Sequence, residues 1–130
     1  MAYPDAKRLI RIVWFIAILV VIVGSLLPGD STAMRLLDRL HISDKIEHCL
    51  AYAVLTFLPT IHERRRVVVG AALGALALGV GLEYGQLYSG WRDFEFRDML
   101  ADAVGVIIGA SAGIPMRSVE LFRPLLADEA

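Results

Sequence analysis

The sequence predicts an all-α membrane protein, a four-helix transmembrane bundle with a short amphipathic helix between spans 1 and 2. Hydrophobic residues make up 57% of the 130 residues, and the mean hydropathy is +0.61, which is high for a soluble domain. A helix crosses the hydrocarbon core with about 20 mostly apolar residues. Segments of this kind occur at about 9–27, 44–61, 67–88 and 98–115. They predict a single membrane domain, followed by a tail at 116–130.

The first span follows basic residues and ends at a strong helix stop. Lys7, Arg8 and Arg11 lie at its start, and Pro28 and the two residues after it end the helix. A secretory signal peptide has a similar start, but no A-x-A cleavage site follows, so we expect an uncleaved span. Residues 31–42 alternate apolar and charged positions at near-helical spacing. This pattern predicts an amphipathic helix on the membrane surface.

The third span carries small residues on two faces. Small residues let neighbouring helices approach closely in lipid, so we expect this span to be central in the bundle. The same faces could alternatively form a homodimer. One stripe contains Gly70, Gly74, Ala77, Gly81 and Gly85, and the other contains Ala72, Ala75 and Gly79.

The distribution of basic residues predicts that both termini are cytoplasmic. Lysine and arginine accumulate in cytoplasmic loops of membrane proteins. With the amino terminus inside, the cytoplasmic basic residues are Lys7, Arg8, Arg11, Arg64, Arg65, Arg66, Arg117 and Arg123. The external ones are Arg35, Arg39, Lys45, Arg92 and Arg97. The tail at 116–130 is then cytoplasmic.

Ionisable and amide side chains from three separate spans lie toward the outer side in this topology, and we expect them to form one pocket. A charge within a span costs about 2.5–3.5 kcal/mol on insertion scales, so such a residue is a functional candidate. Alternatively, Glu83, Gln86 and His48 only hold helices together through hydrogen bonds of ~0.6 kcal/mol each. The candidates are Asp44, Lys45 and His48 in span 2, Glu83 and Gln86 in span 3, and Arg97, Asp98 and Asp102 in span 4.

Several other classes of site are not predicted. The sequence has no basic run and no finger-type Cys and His spacing, which argues against nucleic acid. Asp98 and Asp102 could hold a divalent cation with Glu83 and His48, but there is no HExxH or paired-His spacing, so neither a metal nor another cofactor is predicted. The single cysteine, Cys49, is interpreted as a small hydrophobe.

A series of short motifs runs in order along nearly the whole chain. They are SLLP at 25–28, DKIEHCLAYAVL at 44–55, LEYGQ at 82–86, FRDMLAD at 96–102 and GVIIG at 105–109. In these motifs the chain resembles the VanZ-like family of small integral membrane proteins. Asp102 departs from the family, which often has Asn there. The resemblance implies a multi-pass protein of the bacterial cytoplasmic (inner) membrane, near outer-leaflet lipids and wall precursors, with a role in low-level teicoplanin resistance and no settled reaction.

Two functions are compatible with the predicted pocket. The first is binding of an anionic lipid headgroup or lipid-linked cell-wall precursor of the outer leaflet through Lys45 and Arg97. The alternative is a membrane-embedded hydrolase or transferase that acts on a lipid phosphate or sugar headgroup, with His48 and Glu83 as acid and base. Ion conduction is a poorer match, because the inner halves of the spans offer almost no polar relay. Whether the protein is an enzyme stays open at this point.

Overall fold

The computed structural model describes residues 3–28, 30–90, 93–119 and 122–129, and within these ranges the chain is helical without strands. The elements are α1 (Tyr3–Leu26), α2 (Thr32–Asp38), α3 (Asp44–His62), α4 (Arg65–Ser89), α5 (Phe96–Met116) and a 3₁₀ helix (Arg123–Glu129). Three of them, namely α1 from Asp5 onwards, α4 and α5, are long and apolar enough to cross a membrane. The all-α class is therefore confirmed, together with helices of membrane-spanning character.

Residues at the helix ends explain where α2 begins and where α4 stops. The Ser31 side chain accepts a hydrogen bond from the Met34 backbone N–H at 3.3 Å and so caps α2. Gly90 ends α4 with a φ of 80°, a left-handed conformation that glycine adopts without strain. The amphipathic segment predicted over 31–42 is shorter than expected, because α2 ends at Asp38 and turns follow it.

The four long helices pack side by side in alternating directions. Arg11 near the start of α1 contacts Glu63 just after α3, whereas Gln86 near the end of α4 bonds to Ser25 near the end of α1. Near the starts of α3 and α5, His48 contacts Asp102. Consequently α1 and α4 run in one direction, and α3 and α5 run in the other.

The most extensive helix contact lies between α3 and α5, where glycines bring the two backbones together. A Cβ at Gly105 would meet the carbonyl oxygen of Cys49, and one at Gly109 would meet that of Ala53. A Cβ at Gly113 would lie 2.6 Å from the Thr60 side chain. This glycine ridge therefore fixes both the distance and the register of the two helices.

The two small-residue stripes of α4 differ in their surroundings. Ala75 and Gly79 of one stripe are buried, whereas a Cβ at Gly70, Gly74 or Gly81 of the other would meet no atom within 4 Å. α4 contacts α1, α3 and α5, as expected for a central span, and a Cβ at Gly85 would lie 3.1 Å from the Leu26 side chain. The closest backbone approach in the bundle, however, is supplied by the α5 glycines and not by those of α4.

Candidate functional site

The centre of the candidate site is formed by two pairs of side chains, one pair on α3 and one on α5. Asp44 and His48 lie four residues apart on α3, as do Asp98 and Asp102 on α5, so each pair occupies one helix face. The glycine ridge sets the two faces against each other. His48 Nδ1 lies 2.7 Å from Asp102 Oδ1, and His48 Nε2 lies 3.6 Å from Asp98 Oδ2.

Lys45 is surrounded by carboxylates. Its ammonium group contacts Asp98 and Glu95, and it lies 3.4 Å from Asp44 Oδ2. Glu95 directly precedes α5 and was not among the predicted site residues. Its place two residues before Arg97 and Asp98 is the sequence feature that could have indicated it. Lys45 therefore neutralises acids of this cluster.

Glu83 reaches the same cluster from α4. It is 1% exposed, and its carboxylate accepts a hydrogen bond from the Glu95 backbone N–H at 3.1 Å. The hydrogen bond of Glu83 thus goes to a backbone group, whereas the Lys45 ammonium group contacts Asp98 and Glu95. Glu83 lies close enough to His48 for electrostatic interaction, but the hydrogen bond of the imidazole goes to Asp102.

Asp102 is seated deeply between the helices. It is 2% exposed, and a Cβ at Gly79 of α4 would lie 2.7 Å from its Oδ2 atom. This oxygen has no hydrogen-bond partner within the described ranges. Gly79 is therefore required for space, since a larger residue there would displace the carboxylate that orients His48.

Arg97 does not join this cluster. Its side chain is exposed and makes no hydrogen bond or ion pair with any residue that the structure describes. Its neighbour Asp98 is buried at 4% exposure and faces α3. The helical rotation between adjacent residues, about 100°, explains why one points inward and the other outward.

Gln86 connects two helices beside the cluster. It is 2% exposed, and its Nε2 donates a hydrogen bond to the Ser25 backbone carbonyl at 2.8 Å. This bond joins the ends of α4 and α1. The contact of Gln86 with Ser25 therefore connects helices, and the sequence alone did not predict this partner.

Replacing Gln86 by leucine should produce only a modest loss of stability, because it removes one interhelical hydrogen bond of ~0.6 kcal/mol. Unfolding in mixed detergent micelles, titrated with sodium dodecyl sulfate, measures this loss. Leu87→Ala, on an exposed neighbour, is the matched control. A loss above about 2 kcal/mol would mean that Gln86 has a larger role than the bond to Ser25.

A cavity of about 180 Å³ opens beside the cluster, between α1, α2 and α3. Its apolar wall includes Val20, Val21, Met34 and Leu37. Its polar wall includes Asp44, Glu47 and His48. One cavity thus offers both an apolar surface and ionisable groups.

A second polar network lies at the opposite end of the bundle and was missed by the sequence reasoning. Glu63 accepts hydrogen bonds from Arg11 at 2.8 and 2.5 Å, and Arg117 donates to the Glu63 backbone carbonyl at 2.9 Å. His62 is fully buried there, although its place in a predicted loop gave no sign of burial. This network joins α1, α3 and the residue after α5, which indicates a structural role.

Acidic groups exceed cations in the candidate site. Within the described ranges, Lys45 is a cation that contacts three of them, and the carboxylates at or beside this point are those of Asp44, Glu47, Glu83, Glu95, Asp98 and Asp102. Such a site attracts positive charge. An anion could approach it only where a cation compensates for the carboxylates.

The chain was also compared with known protein families, proteins and structures. No protein-family model, no curated protein and no solved structure matches the chain.

Proposed function

We propose that this chain is a multi-pass protein of the bacterial cytoplasmic membrane that binds the anionic headgroup of an outer-leaflet lipid or lipid-linked cell-wall precursor. The observation that carries the proposal of an amphiphilic ligand is the cavity between α1, α2 and α3, whose lining combines an apolar wall with Asp44, Glu47 and His48. Because this lining is acidic, the anionic character of the head rests on a cation outside the cavity. Ligand sites combine apolar lining with a few convergent polar groups. An amphiphile, with a chain and a polar head, matches both walls.

We propose that α3 is a fourth membrane span beside α1, α4 and α5. Its 19 residues correspond to a length of roughly 28 Å at 1.5 Å per residue, close to the ~30 Å hydrocarbon thickness. Asp44, Lys45, Glu47 and His48 face α5 or the cavity, and His62 is buried beside Trp14 of α1, so these groups are directed into the bundle, where charged groups in membrane helices occur. The contacts of α3 with all three candidate spans support this assignment.

The basic end of the bundle supports a cytoplasmic location for the start of α1 and the end of α5. Arg11 and Arg117 both contact Glu63 there, and Arg64, Arg65 and Arg66 follow directly. Basic residues favour the cytoplasmic side. The candidate site is then at the outer leaflet, in contact with lipid headgroups and wall precursors.

We assign the headgroup contact to Arg97, which does not line the cavity but lies at the start of α5, at the same end of the bundle. Lys45 is already paired with Asp98 and Glu95, so its charge is compensated, whereas Arg97 is exposed on the first turn of α5. A guanidinium group binds phosphate through paired charge-assisted hydrogen bonds. Arg97 therefore serves the headgroup, and Lys45 contributes mainly by organising the carboxylates.

Replacing Arg97 by alanine is expected to weaken headgroup binding about tenfold, because a hydrogen bond to a charged group contributes roughly 1.5–3 kcal/mol. Binding of phosphatidic acid and of phosphatidylcholine to the protein in nanodiscs measures the effect, with inorganic phosphate as the headgroup without a chain. Arg97→Lys should retain part of the affinity, and Glu83→Gln should retain more than Arg97→Ala.

Arg66→Ala is the control, since Arg66 is exposed at the opposite end of the bundle. Equal affinity of wild type and Arg97→Ala would contradict the assignment of Arg97. Equal binding of the two lipids by wild type would contradict the anionic headgroup.

A second candidate function, a hydrolase or transferase acting on a lipid phosphate or sugar headgroup, is favoured by the 2.7 Å contact of His48 with Asp102. A buried carboxylate that orients an imidazole is a common arrangement for a general base. Glu83 remains the candidate acid on the neighbouring helix. Absence of turnover of lipid phosphates in nanodiscs, or equal turnover after His48→Ala, would remove this candidate.

The motif resemblance to the VanZ-like family is compatible with a role at the envelope and suggests a link to teicoplanin. A susceptibility comparison between a strain that lacks the gene and its parent tests that link. Unchanged teicoplanin susceptibility would remove the resistance role and leave headgroup binding to the nanodisc experiment.

A further inference from the structure

The side chains of Asp44, His48 and Asp98 converge on one point at the edge of the cavity. One ligand atom from each lies within 4.8 Å of the other two. His48 Nε2 is 3.6 Å from Asp98 Oδ2 and 3.9 Å from Asp44 Oδ1. These separations exceed a hydrogen bond, which is about 2.7–3.2 Å. They match the roughly 3–4 Å between two donors that share one metal ion at bond lengths of ~2.0–2.2 Å.

We propose that Asp44, His48 and Asp98 bind one divalent transition-metal ion, with Zn²⁺ and Mn²⁺ as the best matches. A donor set of one imidazole and two carboxylates suits these ions, whereas Ca²⁺ and Mg²⁺ favour sites made of oxygen donors alone. Three protein donors leave at least one coordination position open. Two of the three donors, Asp44 and His48, also line the cavity, so the ion would lie at the edge of the cavity.

The second observation that supports a metal ion is the way in which His48 is held. The Asp102 side chain, which is 2% exposed, forms a hydrogen bond with the Nδ1 atom of His48 at 2.7 Å. Metal-bound histidines nearly always present one ring nitrogen to the ion and donate the other to a carboxylate or carbonyl. The Nε2 atom has no hydrogen bond to any of the described residues, and it points toward Asp44 and Asp98. Asp102 is thus a positioning residue.

The charges around the three donors also favour a cation. Lys45 contacts the Oδ1 atom of Asp98, which leaves the Oδ2 atom facing His48. Lys45 carries one positive charge, while Asp44, Glu95, Asp98 and Asp102 surround this point with carboxylates. A divalent ion is attracted to such a group of carboxylates. It would also allow a phosphate oxygen to approach an otherwise acidic pocket.

The test uses the full chain in detergent with the metal alone. Equilibrium dialysis against Zn²⁺ and, separately, Mn²⁺, followed by elemental analysis, should give one ion per chain. Co²⁺ substitution should give a visible absorption band that reports the ligand set. His48→Ala and Asp98→Asn should each weaken binding at least tenfold. Asp102→Asn should weaken it about 10–100-fold, as expected for a residue that orients a metal ligand.

His41→Asn is the matched control. His41 is exposed in the turn before α3 and has a φ of 52°, a conformation that asparagine tolerates. It should bind metal as wild type does. Asp44→Asn provides an independent ligand variant on an exposed side chain, so loss of binding there cannot be attributed to misfolding of a buried residue.

Fewer than about 0.2 ions per chain in wild type, or binding by Asp44→Asn and folded His48→Ala equal to wild type, would overturn the metal site. Phosphatidic acid binding in the presence of a chelator separates this inference from headgroup binding. Retained lipid binding together with absent metal binding overturns the metal site alone. Absent lipid binding together with one metal ion per chain overturns the headgroup proposal alone.

Discussion

Gly109→Ala is expected to destabilise the protein by about 1–3 kcal/mol, the range for overpacking a tight interface. The added Cβ would meet the carbonyl oxygen of Ala53 and would lie 3.0 Å from the Ala53 Cα. Both atoms belong to the backbone of α3, so no side chain can rotate away to make room. The two helices must therefore separate along their most extensive contact. Unfolding in mixed micelles or thermal aggregation in detergent measures the loss.

Gly74→Ala is the control for this prediction. Both substitutions add one methyl group to a glycine within a long helix, but a Cβ at Gly74 meets no atom within 4 Å. Alanine also has the higher helix propensity, by about 1 kcal/mol in water, so Gly74→Ala should not lower stability. Equal destabilisation by the two variants would show that the α3–α5 interface is not the close contact described.

Asp98→Ala is expected to cost about 1–3 kcal/mol, the penalty for removing a hydrogen-bond partner from a charged group. Asp98 is 4% exposed, and its carboxylate contacts Lys45 and lies 3.6 Å from His48 Nε2. Truncation leaves a small void between α3 and α5 and deprives Lys45 of its most buried partner. The Lys45 side chain is 36% exposed, so water compensates in part and keeps the loss below that of a fully buried pair.

Arg97→Ala is the matched control for Asp98→Ala. The two residues are adjacent, but Arg97 is exposed and makes no polar contact with the described residues. Its replacement should change stability by less than about 0.5 kcal/mol, while headgroup affinity falls. If Arg97→Ala proved as destabilising as Asp98→Ala, the inward and outward orientations assigned to these side chains would be incorrect.

The comparison of the two polar ends helps to separate function from structural support. At the basic end, Glu63 has both Arg11 and Arg117 as partners, and these contacts tie helix ends together. At the other end, the carboxylates outnumber the cations among the residues that the structure describes, and a cavity lies beside them. Networks that only hold helices together need balanced partners. The surplus of charge beside a cavity is therefore the feature that points to a ligand.

Helix positions were largely predictable because each depends on local sequence. The span predicted at 44–61 corresponds to α3 at Asp44–His62, and the one at 98–115 corresponds to α5 at Phe96–Met116. An apolar run determines where a helix forms, and a helix stop determines where it ends, through residues that are close together in the sequence. The helical class and the membrane character of three helices followed from hydropathy alone. For the same reason, the i, i+4 pairing of Asp98 with Asp102 could be read directly from the sequence.

The partners of the site residues were decided only by tertiary structure. The order of residues in the sequence does not predict that His48 forms a hydrogen bond with Asp102 or that Glu83 accepts one from the Glu95 backbone N–H. These choices depend on the rotation and register of α5 against α3, which the glycines at 105 and 109 set by backbone contact. Arg97 lies outside the cluster of carboxylates for the same reason, since a rotation of about 100° per residue separates it from Asp98. Composition thus determined that these groups occur at helix ends, and packing geometry determined which of them meet.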